Sequence, residues 1–390
     1  MLRKILVIIL LLASFIHAEG QADSSHLRIS LLTCGPGDDE VWSVFGHTGV
    51  RVIDSVEKTD LVFNYGTFDF GPDFELQFMR GKLLYSLSIQ TYPNFLSEYI
   101  QTKRRVEEQE LLVDWKIKEH MYYFLQWNAE PGNKYYKYDF FFDNCATRIR
   151  DIFLRPEVFG SKFQYPHVTP SGKKVTFRDI INQYFNKDQW TRTGVNILLG
   201  SKIDKVMTDM DIMFLPDYLR DGVAGGLYRG QKIAAPSKML LTGINDNSIG
   251  IDEPMVLTCI LALLTILGLT VPKLRILGKL MSILILLATG LLGCLILVMW
   301  FATDHQGCSD NFNLLWCLPL NVYVAFFNPK GKGKYGLIGI FFILLSVVFG
   351  LLKTQGLIIE FVPIFIALCF IYFAMYRKSI TNTKTIAANA

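Results

Sequence analysis

The sequence predicts an α+β domain with an antiparallel sheet, followed by an all-α bundle of five membrane-spanning helices. Short runs of alternating apolar and polar residues occupy the first half of the chain, as is typical of half-buried strands. Long apolar runs occupy the C-terminal third, as is typical of membrane spans. With 390 residues, 51% of them hydrophobic, the chain is also longer and more apolar than one ordinary soluble domain.

The first 18 residues have the layout of a cleavable secretory signal. Arg3 and Lys4 precede an apolar run that extends to Ile16, and Ala18 follows it. Because this is only a fair cleavage site, an uncleaved anchor helix is the alternative. Ala18 is not followed by a cysteine, so the signal is not of the lipoprotein type.

Five apolar runs in the C-terminal third predict five spans. They are Pro254 to Val271, Leu280 to Ala302, about Phe312 to Phe327, Tyr335 to Leu352 and Leu357 to Tyr376. The third run is the weakest, because Pro319 and Asn321 interrupt it and its core gives only ~21 Å of helix. A re-entrant segment is the alternative for this run.

The positive charges around the spans predict the orientation of the chain. Lys and Arg lie in the first and third connections and after the last span, at Lys273, Arg275, Lys279, Lys330, Lys332, Lys334, Arg377 and Lys378. Positively charged loops face the cytoplasm. The sequence therefore predicts a domain outside the cytoplasm over 19–252, a membrane domain over 253–378 and a disordered cytoplasmic tail over 379–390. In the inner membrane of a bacterium, which the resemblance given below implies, the outer domain is periplasmic.

The predicted periplasmic domain contains strand patterns separated by turn signals. The strands are Leu27 to Cys34, His47 to Ile53, Leu61 to Tyr65, Leu83 to Ile89, Val106 to Val113 and an aromatic candidate from Tyr136 to Phe142. Apolar residues at helical spacing predict a helix from Ile117 to Asn128, before Pro131. Together these elements favour an antiparallel sheet with helices packed against it.

A second helix is predicted to begin at Cys145. Cys145, Ile149, Ile152 and Phe153 follow one another at the spacing of a single helical face. That face is expected to pack against the sheet. Asp143 or Asn144 would serve as the N-cap, which places Cys145 in the first turn. Free backbone N–H groups and the helix dipole favour a thiolate there.

His47, 98 residues before Cys145, is the candidate base for this thiol. A free thiol with a pKa near ~8.5 needs such a base at neutral pH. His47 opens a strand, and Gly49 on the same strand face is expected to leave room for the helix. The other histidines of the domain are expected to be solvated: His26, His120 and His167. The alternative is that Cys145 is an inert buried thiol and His47 a surface histidine.

Polar residues near the predicted pair are candidates for supporting roles. Asn64, on the following strand, is the first choice to orient His47, and Asp69 is the second. Tyr65, Arg148 and Asp69 are candidates for binding substrate, and Tyr65 and Arg148 could bind an oxyanion or a lipid head group. Ordinary solvent-facing positions are the alternative for each of them.

Two rival interpretations of the chemistry are weaker. Cys34 ends a strand before a Gly-Pro-Gly turn, where no helix lowers the pKa of a thiol. A zinc site built from His47, Cys145 and Asp143 has no supporting spacing of the CxxC, HxxH or HExxH kind. We therefore expect neither a metal nor a cofactor.

The remaining features limit the partners of the chain. The net charge is only +4, and no Lys/Arg cluster interleaves with aromatic residues, so a nucleic-acid partner is excluded. Cys308 and Cys317 are candidates for a disulfide, which nothing in the sequence decides. Residues 305–313 form a polar outer loop that is either simply solvated or borders a lipid entrance.

Four segments resemble a known group of enzymes. They are Leu32 to Gly37 (LTCGPG), Phe45 to Thr48 (FGHT), Asn64 to Phe70 (NYGTFDF) and Asp139 to Cys145 (DFFFDNC). A histidine strand ahead of an Asn-Cys helix start resembles a circularly permuted papain-like fold, as in the permuted NlpC/P60 and lecithin-retinol acyltransferase (LRAT) group. More closely, the four segments resemble the Lnb family, the lipoprotein N-acyltransferases of the Bacteroides kind.

The resemblance implies a function and a mechanism. It implies a periplasmic thiol domain with five membrane helices, and transfer of an acyl chain from a phospholipid, through a thioester on Cys145, to the amine of diacylglyceryl-cysteine lipoproteins. It does not fix the third catalytic residue. The alternatives are a thiol hydrolase of the same fold, either a peptidoglycan amidase or a phospholipase, and a non-catalytic membrane module that binds lipoproteins.

Overall fold

The structure, a computed structural model, describes residues 25–37, 43–167, 174–185, 189–243, 250–327 and 331–388. An antiparallel sheet with helices on both faces forms its N-terminal part, and a helical bundle forms its C-terminal part. This confirms the predicted α+β domain followed by a helical membrane domain. The predicted signal peptide, residues 1–18, lies outside the described residues.

Within the described residues, ten strands form two antiparallel sheets. They are β1 (Leu27–Cys34), β2 (His47–Asp54), β3 (Thr59–Thr67), β4 (Leu84–Thr91), β5 (Val106–Glu110), β6 (Tyr135–Lys137), β7 (Phe163–Gln164), β8 (Leu227–Tyr228), β9 (Gln231–Lys232) and β10 (Lys238–Leu241). Seven strands pair in the order β10-β5-β1-β2-β3-β4-β6, and β7, β8 and β9 form a small separate sheet. The first five strands begin within two residues of their predicted positions.

Eight α-helices accompany the sheets in the part of the chain that the structure describes. They are α1 (Phe74–Met79), α2 (Tyr92–Gln101), α3 (Trp115–Ala129), α4 (Cys145–Phe153), α5 (Phe177–Ile181), α6 (Gln189–Leu198), α7 (Asp209–Ile212) and α8 (Pro216–Gly225). Helices α3 and α4 are the two helices predicted from apolar spacing, and α4 begins at the expected cysteine.

The large sheet carries an apolar cluster on each face. Ile29 and Leu31 of β1 point to the face covered by α3 and α4, where Cys145 and Ile149 join the same cluster. Residues with the opposite parity, such as Leu32, pack with Phe95 and Tyr99 of α2 on the other face. The period-two alternation of β1 therefore separates two cores.

The predicted strand from Tyr136 to Phe142 is only partly formed. Strand β6 ends at Lys137, and a tight turn follows, in which Asp139 and Asp143 exchange backbone hydrogen bonds of 3.0 and 2.9 Å. The Asp139 carboxylate accepts hydrogen bonds from the next backbone N–H groups, which holds the turn. The aromatic run therefore packs as a compact turn beneath the start of α4 rather than as an extended strand.

The described residues of the C-terminal part form five further α-helices. They are α9 (Glu253–Thr270), α10 (Arg275–Phe301), α11 (Asn321–Phe326), α12 (Lys332–Leu351) and α13 (Val362–Ala388). Among the described residues, four of these helical stretches are long and apolar enough to cross a membrane. The third predicted span is not a continuous helix. Residues 312–327, called the broken segment from here on, contain a 3₁₀ turn at Phe312–Leu315 and then the short α11. Pro319 between them removes a backbone donor and interrupts the helix.

The directions of the long helices require the chain to cross back between α10 and α12. The start of α9 lies beside the start of α13, where the Thr258 hydroxyl donates to the Glu360 carbonyl at 2.6 Å. Helices α9 and α10 are joined by a short connection, so α10 ends on this same side. Helix α12 runs antiparallel to α13, as the approach of Gly336 to Tyr372 shows, and so begins on the opposite side. The broken segment therefore provides a fifth crossing of the bundle.

Polar groups hold the broken segment in place. The Asn321 amide oxygen accepts hydrogen bonds from the Tyr335 and Tyr372 hydroxyls at 2.7 and 2.8 Å, and its amide nitrogen donates to Thr289 at 3.1 Å. A β-carbon on Gly293 would lie 1.9 Å from a backbone oxygen of the segment. Close packing and internal hydrogen bonds thus replace the regular helix, as irregular backbone at membrane depth requires.

Helix α13 continues beyond the predicted end of the membrane domain. It is helical to Ala388, where the sequence predicts a disordered tail over 379–390. Residues 379–388 contain no glycine or proline that would end the helix, and residues 389–390 lie outside the described part.

Helix α6 ties the periplasmic domain to the bundle. Arg192 on α6 forms ion pairs with Asp252 and with Glu360, which flank the starts of α9 and α13. The buried Asn311 amide, just after α10, donates to the Ile197 carbonyl at 2.8 Å. These contacts fix the sheet domain above the outer end of the membrane helices.

Candidate active site

The structure brings together the three residues predicted to be catalytic. His47 Nε2 lies 2.6 Å from Asn64 Oδ1. The Cys145 sulfur, at the start of α4, is close enough to β2 to accept a hydrogen bond from the Thr48 N–H. Cys145 and His47, 98 residues apart in the sequence, line the same cavity.

A glycine in a bulge makes room for the pair. The pairing of β3 with β4 shifts register at Gly66, whose φ is +88°. A β-carbon there would lie 3.6 Å from the Cys145 β-carbon and 3.8 Å from His47 Cε1. The sequence prediction gave this role to Gly49, but a β-carbon on Gly49 would instead meet Phe95 of α2 on the other sheet face. The signal for Gly66 was a glycine inside a strand pattern, which often marks a bulge.

Asn144 anchors the start of α4. Its side-chain oxygen accepts the Ala146 and Thr147 N–H groups at 2.9 Å each, and Thr147 completes a capping box. Its side-chain nitrogen donates to the Phe140 and Phe214 carbonyls at 2.7 and 2.9 Å. Of the two predicted N-caps, Asn144 is therefore the one used, and it fixes the position of the neighbouring cysteine.

Burial keeps both reactive groups neutral at rest. Burial raises the pKa of the Cys145 thiol to about 11, although N–H groups of Thr48, Ala146 and Cys145 itself act in the opposite direction. Burial lowers the pKa of His47 to about 4; the Asn64 hydrogen bond opposes this shift, and the charge of Arg104 adds to it. Near neutral pH Cys145 is therefore a neutral thiol and His47 a neutral imidazole.

The pair opens into a cavity of about 330 Å³. Its wall comes from both parts of the chain, because residues 305–308 of the membrane domain line it together with the sheet domain. Most lining side chains are apolar or aromatic, including Phe45, Phe68, Phe78, Leu83, Tyr85, Tyr138, Phe140, Phe141, Leu199 and Phe214. Such a cavity suits a hydrocarbon chain better than a polar glycan.

Comparison with protein families identifies the group to which the chain belongs. The Lnb N-terminal periplasmic domain matches residues 14–183, and the Lnb transmembrane domain matches residues 245–383. The chain belongs to the Lnb family. It is a multi-pass membrane protein with a periplasmic N-terminal domain, in a family that processes lipoproteins. Neither the curated proteins nor the solved structures give a match.

Three polar residues of this Lnb-family cavity were not predicted as site residues. Among the described residues that line the cavity, Asp139 carries the one carboxylate, and burial raises its pKa. His305 and Cys308 reach the cavity from the outer loop of the membrane domain. Residues 305–308 therefore border the cavity, whereas a lipid entrance at the outer loop 305–313 stays a prediction. Sequence reasoning could not join this loop to a cysteine 160 residues away.

The three predicted substrate-binding residues do not line the cavity. Tyr65 is buried in the sheet core, where its hydroxyl donates to Asn128 at 2.7 Å. Arg148 is held by a bidentate ion pair with Asp143. Asp69 is exposed beyond the end of β3. Tyr65 follows Asn64, so strand alternation sends its side chain to the opposite face of the sheet.

Cys34, the rival thiol, is buried beside Tyr99 of α2 and lies opposite His47 in the pairing of β1 with β2. Burial raises the pKa of its thiol to about 12. Cys308 and Cys317 are both free, so the candidate disulfide is not formed. The Asp143 carboxylate of the candidate zinc site is bound to Arg148.

The remaining histidines have other partners. His26 lies 3.6 Å from Asp54, His120 contacts the Glu157 carbonyl, and the exposed His167 contacts Asp209. None of these three histidines is among the residues that line the cavity. Among the described histidines of the periplasmic domain, His47 is therefore the one that lines the cavity with Cys145, and His305 of the membrane domain joins it there.

Proposed function

We propose that this protein is a thiol acyltransferase of the bacterial inner membrane. It would move an acyl chain from a phospholipid to the N-terminal amine of diacylglyceryl-cysteine lipoproteins. The observation that carries the proposal is the position of Cys145 and His47 in an apolar cavity walled by both the periplasmic domain and the membrane domain. Burying an acyl chain there is favourable by ~0.8 kcal/mol for each methylene group.

The first half-reaction forms a thioester. Asn64 accepts the Nε2 proton of His47, which leaves Nδ1 free as the base. His47 takes the thiol proton as the Cys145 sulfur attacks the ester carbonyl carbon of the phospholipid. The backbone N–H groups of Thr48 and Cys145 lie beside the sulfur. They stabilise the negative charge that develops on the former carbonyl oxygen of the ester. The ester C–O bond then breaks, and the departing lysophospholipid oxygen takes the proton from His47.

The second half-reaction transfers the acyl chain to the lipoprotein. The neutral amine attacks the thioester carbonyl carbon, and the C–S bond breaks. The proton lost by the amine passes through His47 to the sulfur, so an amide and a free Cys145 thiol result. The order is ping-pong, and neither half-reaction uses a cofactor or a metal.

Membrane anchorage supports this chemistry. Both substrates are held in the bilayer by their own acyl chains, and the cavity lies above the outer end of α10, beside the outer loop. Holding enzyme and substrates in one plane raises their effective concentration. The acyl chain also avoids crossing water between donor and acceptor.

Mass spectrometry of lipoprotein N-termini in cells tests the proposal. Wild-type protein is expected to convert the free amine to an amide, and Cys145→Ala to leave it free. His47→Ala is expected to reduce conversion by about 10²- to 10⁴-fold. Cys294→Ala is the matched control, because it removes a free thiol on α10 that does not line the cavity. Unchanged N-acylation in Cys145→Ala cells would refute the transferase.

A purified assay separates the transferase from its alternatives. Full-length protein is mixed with phospholipid, with or without a diacylated lipopeptide. With lipopeptide present, a transferase yields lysophospholipid and N-acyl lipopeptide in equal amounts. Without lipopeptide, it releases lysophospholipid in the first turnover only. Continuous release of free fatty acid without amide would show a hydrolase. If Cys145→Ala and His47→Ala both retained full function in cells, the protein would be a non-catalytic binding module.

A further inference from the structure

An exposed aromatic segment lies beside the cavity. Residues 68–79, called the aromatic segment from here on, include α1, in which no residue is buried. Its exposed side chains include Phe70 (73% exposed), Leu76 (44%), Phe78 (43%) and Met79 (57%). Contiguous large apolar side chains of this kind mark an interaction surface.

The rings of the segment connect the cavity to the surface. Phe68 lines the cavity and stands 5.1 Å from Tyr85 of the cavity wall and 5.4 Å from Phe74, between ring centroids. Phe74 in turn stacks at 6.0 Å on Phe78, which is both a lining residue and partly exposed. A continuous apolar path therefore leads from the reactive pair to the outside.

The segment is fixed to the outer end of a membrane helix. His305 Nε2 lies 3.1 Å from the carbonyl oxygens of both Phe78 and Met79. His305 follows α10 by four residues, and the last residue of that helix, Phe301, is 72% exposed. The apolar side chains of the segment are thus placed where the span meets the water phase.

We infer that the aromatic segment inserts into the periplasmic leaflet and that a phospholipid acyl chain reaches Cys145 along its rings. The inference rests on the proposed function and names the route of its donor. Continuity with the end of α10 identifies the bilayer as the occupant. Apolar and aromatic side chains of a short helix are stable at such an interface. Arg80 and Lys82, both exposed at the end of the segment, face the region of the lipid phosphates.

Photocrosslinking tests the contact directly. Leu76 or Met79 is replaced with p-benzoylphenylalanine in full-length Cys145→Ala protein, reconstituted in vesicles of phosphatidylethanolamine and phosphatidylglycerol. The control position is Val56, which is 68% exposed but lies beyond the far end of β2, about 26 Å along the strand from His47. Irradiation followed by mass spectrometry of the protein gives the result.

We expect phospholipid adducts at Leu76 and Met79, and none above the unirradiated background at Val56. Equal adducts at all three positions, or none at any, would overturn the inference. Crosslinks between two copies of the chain in place of lipid adducts would show a protein interface and would also overturn it. Because the crosslink needs no turnover, adducts without N-acylation in the wild type reject the transferase while retaining the membrane contact.

A charge substitution tests the route. Met79→Asp is expected to slow N-acylation from bilayer donors by about tenfold, because a carboxylate is costly among acyl chains. Val56→Asp is the matched control and is expected to leave the rate unchanged. Unimpaired transfer by a correctly inserted Met79→Asp protein would contradict the proposed route even if Cys145 proved essential.

Discussion

His47 Nε2 lies 2.6 Å from Asn64 Oδ1, and this distance determines which imidazole nitrogen is the base. An amide oxygen only accepts hydrogen bonds, so Nε2 carries the proton and Nδ1 is left to the thiol. Asn64 therefore sets the tautomer and orientation of the ring. It is a positioning residue, since it acts through His47.

Asn64→Ala should lower acyl transfer while leaving substrate affinity nearly unchanged. The imidazole loses its partner and samples other orientations, and we expect kcat to fall by about 10- to 100-fold. The measurement is kcat and KM with phospholipid and lipopeptide in mixed micelles. A change confined to KM would contradict a positioning role, and partial rescue by Asn64→Gln would support it.

The rate of acyl transfer should be lost only at unusually low pH. Proton transfer requires neutral His47, and its folded pKa is lowered from 6.5 to about 4. The rate should therefore be lost only as the pH falls through about 4. Asn64→Asp places a negatively charged carboxylate beside the imidazole ring, which raises the pKa of His47. The loss of rate at acidic pH should therefore begin at a higher pH. Identical limbs in the pH profiles of wild type and Asn64→Asp would be the contrary result.

Alkylation should show that Cys145 is a neutral thiol at rest. Because burial raises its pKa to about 11, the thiolate fraction grows about tenfold for each pH unit between 7 and 9. We expect N-ethylmaleimide to label Cys145 with this slope, measured by quantifying its peptide. A pH-independent rate over the same range would indicate a preformed thiolate–imidazolium pair instead.

Gly66→Ala should damage the site more than its small size suggests. The backbone at Gly66 has φ +88°, a conformation that costs a non-glycine residue roughly 1–3 kcal/mol. Its new methyl group would also contact Cys145 and His47. Gly132→Ala is the control, because nothing lies within 4 Å of that position. Thermal unfolding and transfer rate are measured for both, and equal behaviour of the two variants would argue against this role of the bulge.

Asn321→Leu should loosen the broken segment. The substitution leaves the Tyr335 and Tyr372 hydroxyls without their acceptor. We expect a loss of about 0.5–2 kcal/mol in the free energy of unfolding in detergent, since hydrogen bonds between membrane helices are modest. Thr270→Ala, in which the hydroxyl bonds only within its own helix, is the comparison. An effect no larger than that of Thr270→Ala would mean that the segment is held by packing alone.

Local patterns predicted the parts of the site that short-range physics controls. Alternation located β1 and β2, and apolar spacing with a capping residue located α4 and therefore Cys145. The same alternation explains why Tyr65 does not line the cavity, since its side chain must face away from that of Asn64. Asp69 does not line it because the chain leaves the sheet beyond Thr67.

Long-range packing controls the parts that sequence patterns missed. Arg148 was a reasonable candidate for binding substrate. Its ion pair with Asp143 could not be predicted, because Asp143 comes within reach only once the turn before α4 forms. The wall made by His305 and Cys308 depends on how α6 seats on the bundle, which no local pattern encodes. In the broken segment, hydropathy predicted a crossing of the bundle but not its irregular backbone. The hydrogen bonds of Asn321 compensate there for the missing helix.

The shared wall of the cavity has a consequence for dissecting this protein. A fragment ending at residue 252 would lack residues 305–308 and leave one side of the reaction chamber open to solvent. Chimeras that exchange the membrane region between relatives should therefore work only when this loop and its seat on Gly200 are exchanged together, since a β-carbon at Gly200 would clash with Ser309. Soluble truncations are accordingly poor substitutes for the intact chain in inhibitor screening.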